Sequence, residues 1–399
     1  MKKMKKINKI ISLMVFVMLP LIFVSCDQKQ ESEEKTVSVY MWGGSEATNN
    51  YMDKWVAPRL KDKGIKLNRV PVTDIKDTVN KLITEKQLGK KEGSADILWL
   101  NGENFKLSKS SKILSKPFVD KLSNYNKYVL ADSPEVKYDF GEVTAGLEAP
   151  WGKVQFVFIY DSEKVKTPPK SFEELKIWIK KNPGKFAYPV SSDFTGSAFL
   201  RQGLFELNGG FKKFMTAFNE NAMKEASKPL WDYLNEIKPS LWQQGKTYPE
   251  SIAKLDKLYS NGEVWMTMGY DEARAENEIK KGTFPKSTKT FVLDNGTLAN
   301  THFLSIPFNS THQDAAKEVI NFLLSPEAQI AKFDPNNWGD GLSIDVNKLS
   351  SEEVKKINSI DRGASTLSLK ELQSHRTPEI TADYVEFIEK GWLENVAKK

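Results

Sequence analysis

The chain has 399 residues, 40% of them hydrophobic and 28% charged, a balance that suits a folded protein with room for two lobes. Five of its 58 basic residues (Lys2, Lys3, Lys5, Lys6, Lys9) and none of its 52 acids precede Cys26, so the formal charge of +6 shrinks to 53 bases against 52 acids beyond that point, which argues against a nucleic-acid partner. A lone cysteine excludes an internal disulfide, and with only three histidines no metal site is expected.

Residues 1–9 are lysine-rich, and residues 10–24 are apolar apart from Ser12 and Pro20. A cationic start, a short apolar run and a small residue (Ser25) before Cys26 make a secretory signal peptide over 1–25. The run is too short for a comfortable membrane span. Cys26 directly after it resembles the lipobox of bacterial lipoproteins, with Phe23 in place of the usual leucine. That resemblance implies an acylated, palmitate-bearing Cys26 and an extracytoplasmic protein held to the cell membrane. Residues 26–35 (CDQKQESEEK) carry no apolar residue after the cysteine and are expected to be a flexible tether, reaching at most about 30 Å.

Strands and helices alternate from there. Residues 37–42 (VSVYMW) read as a strand ended by Gly43-Gly44, residues 49–60 as a helix and Ile65–Val72 as an alternating strand. Ile75, Val79, Leu82 and Ile83 recur at helical spacing, and residues 95–100 (ADILWL) form a buried-looking strand closed by Asn101-Gly102. This order predicts parallel pairs in an α/β sheet. Residues 147–161 form a long extended run broken by Pro150 and Gly152, suited to leaving one sheet and entering another. Ser171 to Glu174 is a capping box that opens a helix ending near Asn182. A strand at 186–190, a helix at 195–207 and a strand at 263–270 follow, and 290–307 is a second extended stretch able to carry the chain back. Helices are expected at 313–324, 325–333 and 378–397.

The picture is two mixed sheets flanked by helices, joined by two crossovers, with a cleft between lobes where a hinge can trap a solute. The expected division places 36–150 plus 303–335 in the first lobe and 151–302 plus 336–399 in the second.

The segments 148–161 (EAPWGKVQFVFIYD), 171–189 (SFEELKIWIKKNPGKFAYP), 193–202 (DFTGSAFLRQ), 296–307 (GTLANTHFLSIP) and 321–329 (NFLLSPEAQ) together resemble the YnjB-type group of ABC transporter solute-binding proteins, from about residue 37 to 333. The resemblance implies a two-lobed, type II periplasmic-binding fold, a cognate permease with its ATPase, and a monomer that binds a small solute. Similarity to thiamine-binding relatives suggests a thiamine-like ligand.

Trp42, Gly43 and Gly44, and Asn101 and Glu103, follow strands of a parallel sheet, at the edge where ligands bind. Trp151, beside the first crossover, is placed to stack on a ligand. Asp193 and Thr195 are candidate caps of a helix whose Gly196 and Ser197 amides could hold an anion. Tyr270 offers an amphipathic face and Asp271 a charge for a cation. The chain lacks a G-x-S-x-G elbow, an H-E-x-x-H pair, a P-loop and a Rossmann fingerprint, so neither an enzyme nor a cofactor is expected. A carbohydrate-binding lipoprotein or glycan hydrolase is the alternative.

Overall fold

The computed structural model describes residues 35–100 and 102–398; the expected leader, Cys26, the tether to residue 34 and Asn101 lie outside the described residues. Lys35, expected to close the tether, already opens the first strand, its N–H bonded to the Gly64 carbonyl at 3.1 Å.

Strands β1 (Lys35–Trp42), β2 (Ile65–Val72) and β3 (Ile97–Leu100) form parallel pairs, β1 lying between the other two. Val37, Val39 and Met41 turn into the core while Ser38 and Tyr40 stay half-buried, the period-2 pattern of a strand with one covered face. The four residues of β3 are all buried, as a central parallel strand requires. A small hairpin, β4 (Tyr138–Asp139) and β5 (Glu142–Val143), precedes β6 (Glu148–Gln155). After β7 (Val157–Asp161), β8 (Met266–Gly269) and β9 (Thr288–Phe291) come β10 (Thr297–Ser305) and β11 (Arg376–Thr377). The first sheet runs β11-β10-β3-β1-β2, with β6 also antiparallel to β10; the second runs β8-β7-β9.

Both expected crossovers change sheets. β6 gives way to β7 through Phe156 alone, whose N–H bonds the Leu298 carbonyl at 2.7 Å. The return lies between Phe291 and Thr297. These switches sit several residues from the expected boundaries at 150/151 and 302/303, because β6 stays paired with β10 as far as Gln155↔Ala299. Buried Gln202 clasps the return: its Nε2 donates to the Gly296 carbonyl (2.9 Å) and its Oε1 accepts from Leu298 N–H (3.0 Å).

Other expectations are corrected. Residues 186–189 are buried and Val190 half-buried, but the segment forms no ladder. Proline at 189 offers no N–H, and Lys185, Phe186 and Val190 bond instead to Trp265, Trp242 and Pro249. The helix expected at 49–60 spans Glu46–Lys61 with a π turn over Tyr51–Val56. The last helix is Ala382–Trp392, continued by a π turn. Helices Glu220–Ile237 and Ile252–Ser260, absent from the pattern reading, pack on the second core. Trp338 and Ile344, expected in the second lobe, join the first core.

Trp151 is likewise a core residue. It is 1% exposed, edge-on to Trp99 at 5.0 Å and 5.2 Å from Trp338. Its position in β6 turns it inward, so it cannot stack on a solute. Beneath Trp338 lies a buried ion pair, Lys332 with Asp340, and Asp340 also faces His302 Nε2 at 3.4 Å. Trp151→Ala should therefore cost about 3–5 kcal/mol of stability, read from urea unfolding. A cost below about 1 kcal/mol would remove the tryptophan from the core.

Candidate functional site

The edge where β1 and β3 end is shaped by glycine. Gly43 N–H bonds the Val72 carbonyl (3.1 Å), and its own carbonyl accepts from Asn49 Nδ2 (2.9 Å). A Cβ on Gly44 would fall 2.4 Å from the Trp42 ring, so glycine lets that ring fold across the backbone. Trp42 remains 41% exposed. Gly102, with φ +65°, caps the helix Glu103–Ser110 and donates its N–H to Asp139 Oδ2 at 2.7 Å. The Phe140 ring lies 3.4 Å from where a Gly102 side chain would begin.

The second lobe presents the helix Phe194–Glu206. Asp193 Oδ1 accepts from Thr195 N–H (2.9 Å) and Gly196 N–H (3.1 Å), and its Oδ2 accepts from Ile252 N–H (3.1 Å). The Ser197 N–H is taken by the Asp193 carbonyl at 2.8 Å. The Gly196 and Ser197 amides expected to hold an anion are thus already satisfied by the cap. Thr195 is buried.

One turn along, Arg201 is fully buried and bonds Glu379 through Nε (3.0 Å) and one terminal nitrogen (3.1 Å). Its other terminal nitrogen donates to Ser197 Oγ at 2.6 Å, and Tyr270 O–H also reaches Glu379. The rings of Phe194 and Phe140 flank the guanidinium at 5.5 and 5.6 Å. Although burial pulls against its charge, the Glu379 carboxylate holds Arg201 more firmly protonated than in water. Ser197 Oγ donates to Glu389.

Carboxylates crowd this one cation. Burial pushes Asp139 up to about 8, with Glu103 and Glu379 adding repulsion. Burial also lifts Glu389, and desolvation by its neighbours lifts Glu103, which stands exposed at the rim. Asp139 Oδ1 has no hydrogen-bond partner among the described residues.

A second group gathers near the end of β8. Asp271 accepts from Ala273 N–H at 3.1 Å and is pushed up to about 6 by burial, with Arg274 pulling the other way. Arg274 pairs with Asp256, and its charge is also felt at Asp193. The expected residues therefore fall into three sets. Ser197 and Tyr270 bond the Arg201–Glu379 pair, and Glu103 feels the Arg201 charge; Asp193 and Asp271 feel the charge of Arg274; Trp42, Gly43 and Gly44 form the exposed edge. That edge is bridged to the other lobe by Glu46 with Lys281 at 3.2 Å, and Lys106 with Asp383 (2.6 Å) ties the helix after β3 to the last helix.

Sequence reading missed Asp139, Phe140, Phe194, Arg201, Glu379 and Glu389. Phe194, Ser197 and Arg201 recur at helical spacing on one face, a signal that was present. Glu379 had none, being 178 positions from its partner. Among the described residues, no group of three or more His, Cys, Asp and Glu is placed to hold a metal ion.

Residues 54–340 match the family model of bacterial extracellular solute-binding proteins. The chain is 38% identical over 333 residues to protein YnjB of Escherichia coli K12, covering 83% of this chain and 85% of that one. It is 26% identical over 273 residues to a putative 2-aminoethylphosphonate-binding periplasmic protein of Salmonella typhi, covering 66% and 68%. A crystal structure of an ABC transporter substrate-binding protein from Bradyrhizobium japonicum superposes with a TM-score of 0.65 at 17% identity, covering 91% of this chain and 99% of that one, which places the fold among two-lobed binding proteins.

Asp139 sets a pH signature. Its folded-state value stands at about 8 against 3.8, so the folded protein keeps a proton that the unfolded chain releases between those values. Its stabilisation is complete below about pH 4 and disappears as pH rises toward about 8. Asp139→Asn should flatten the loss of stability across that window in urea titrations. An unchanged slope would mean Asp139 ionises normally in the fold.

Proposed function

This chain belongs to the bacterial extracellular solute-binding protein family, and from that premise we propose that it is the solute-capturing subunit of an ABC importer, specialised for a small organic cation. The observation that carries the choice of cation is the charge balance around Arg201. That guanidinium is already neutralised by Glu379, while Glu103, Asp139 and Glu389 converge on the same place. Entry of a cation would let these carboxyls ionise and would release protons. Trp42 and Phe194, 41% and 42% exposed at the edges of the two lobes, supply aromatic faces worth about 0.5–2 kcal/mol each to a cation.

A thiamine-like compound is the leading candidate. Because the cap consumes the helix amides, its phosphate esters should gain nothing there. A neutral sugar, which also stacks on tryptophan and bonds to carboxylates, is the competitor. As an extracytoplasmic protein it would be anchored through acylated Cys26 and deliver its solute, as a monomer, to a permease and its ATPase. No helix among the described residues is long and apolar enough to cross a membrane.

Calorimetry on the purified protein with thiamine, its phosphates, a neutral sugar panel and a sugar acid tests this reading. Thiamine should bind with proton release, seen as a heat that varies with buffer ionisation enthalpy. Trp42→Ala and Phe194→Ala should each weaken it by about 2- to 30-fold, the equivalent of one cation–π contact. Tight binding of the sugar acid with no heat from thiamine would sink the cationic reading. Separately, Cys26→Ala should leave the protein unprocessed or release it from membranes; normal globomycin-sensitive processing of that variant would refute the anchor.

A further inference from the structure

Glu379 stands between Arg201 and a cavity of about 940 Å³ that shares Phe140 and Glu379 with the cleft but is lined by none of Trp42, Glu103, Asp193 or Asp271. Its walls are β10 at 299–301, the hairpin around Tyr138 and Phe140, the 215–217 turn of the second lobe, and the segment 376–381. One of these walls, 376–381, lies beyond residue 340, where the match to the family model ends.

The lining holds polar atoms that find no partner among the described residues. Asn300 is 8% exposed, and its Oδ1 is committed to Thr301 N–H at 2.7 Å, which fixes the amide and leaves Nδ2 an unpaired donor. Arg376 approaches Glu135 and Glu272 no closer than 3.8 Å, and its Nε is also unpaired. The hydroxyls of Thr377, which is 6% exposed, and of Thr381 have no partner either. Buried donors without acceptors are rare in native proteins, and several on one cavity call for an acceptor-rich occupant. The charge agrees. Lys153 and Arg376 stand against Glu135, while Glu379 is already held by Arg201. Tyr138 and Met215, 47% and 38% exposed, add apolar surface at the cavity.

We propose that this cavity is a second ligand site, for a small organic carboxylate with an apolar arm. A planar carboxylate brings two acceptors to the unpaired donors, and the apolar arm covers Tyr138 and Met215. The cavity shares Phe140 and Glu379 with the cleft but sets unpaired donors, not Glu103, on its lining, and its occupant is a different molecule from the transported cation.

The test is methyl NMR on the purified full-length protein labelled at methionine, titrated with phenylacetate and, separately, with inorganic phosphate. Phenylacetate should shift Met215 saturably. Arg376→Gln should weaken that binding by about tenfold or more, and Trp42→Ala should leave it unchanged. Thr381→Val, which removes only a hydroxyl, should weaken it by a few-fold and serves if Arg376→Gln fails to fold. The proposal is overturned if phenylacetate gives no saturable shift, if Trp42→Ala abolishes binding while Arg376→Gln or Thr381→Val preserves it, or if phosphate saturates the site and phenylacetate does not.

Discussion

A buried guanidinium must be matched by a carboxylate, and in this protein the match between Arg201 and Glu379 gathers the parts of the cleft. Removing one partner of such a pair strands a charge in the interior and typically costs about 3–5 kcal/mol. Arg201 sits two turns into a helix of the second lobe, while Glu379 follows β11, a strand of the first sheet. Tyr270, at the end of β8, is drawn in by the same carboxylate, and Ser197 by the same guanidinium. The pair therefore fixes the relation between the helix that begins the second half of the cleft, the strand edge that ends it, and the C-terminal segment that flanks both.

That arrangement also decides the sign of the field a solute meets. An arginine left unpaired at the cleft would invite an anion. Paired, it becomes part of the wall, and the surplus belongs to Glu103, Asp139 and Glu389. Burial pushes Asp139 up to about 8, which eases the repulsion between it and the nearby carboxylates.

The architecture was largely legible in the sequence because it rests on local periodicity. Alternation in β1, the apolar run of β3, the capping box at Ser171 and the two extended stretches each left a pattern within a short window. Of the candidate site, the sequence marks only the turns, at Gly43-Gly44, at Gly102 and at Asp193. Trp151 was misread because an aromatic next to a proline and a glycine looks the same in sequence whether its strand face points to solvent or to core. The pairing of β6 with β10 made that choice. The amides after Asp193 were misread because a cap and an anion site use the same donors, and only geometry shows which partner has them. Arg201 and Glu379 depend on a contact between distant segments that no window can hold.

The match to the solute-binding family stops at residue 340, yet Glu379, Arg376 and the last helix lie past that point and are bonded into the cleft's own framework. The segment is therefore part of the folded framework, and truncating the chain after residue 340 would leave the Arg201 charge buried without its bidentate partner.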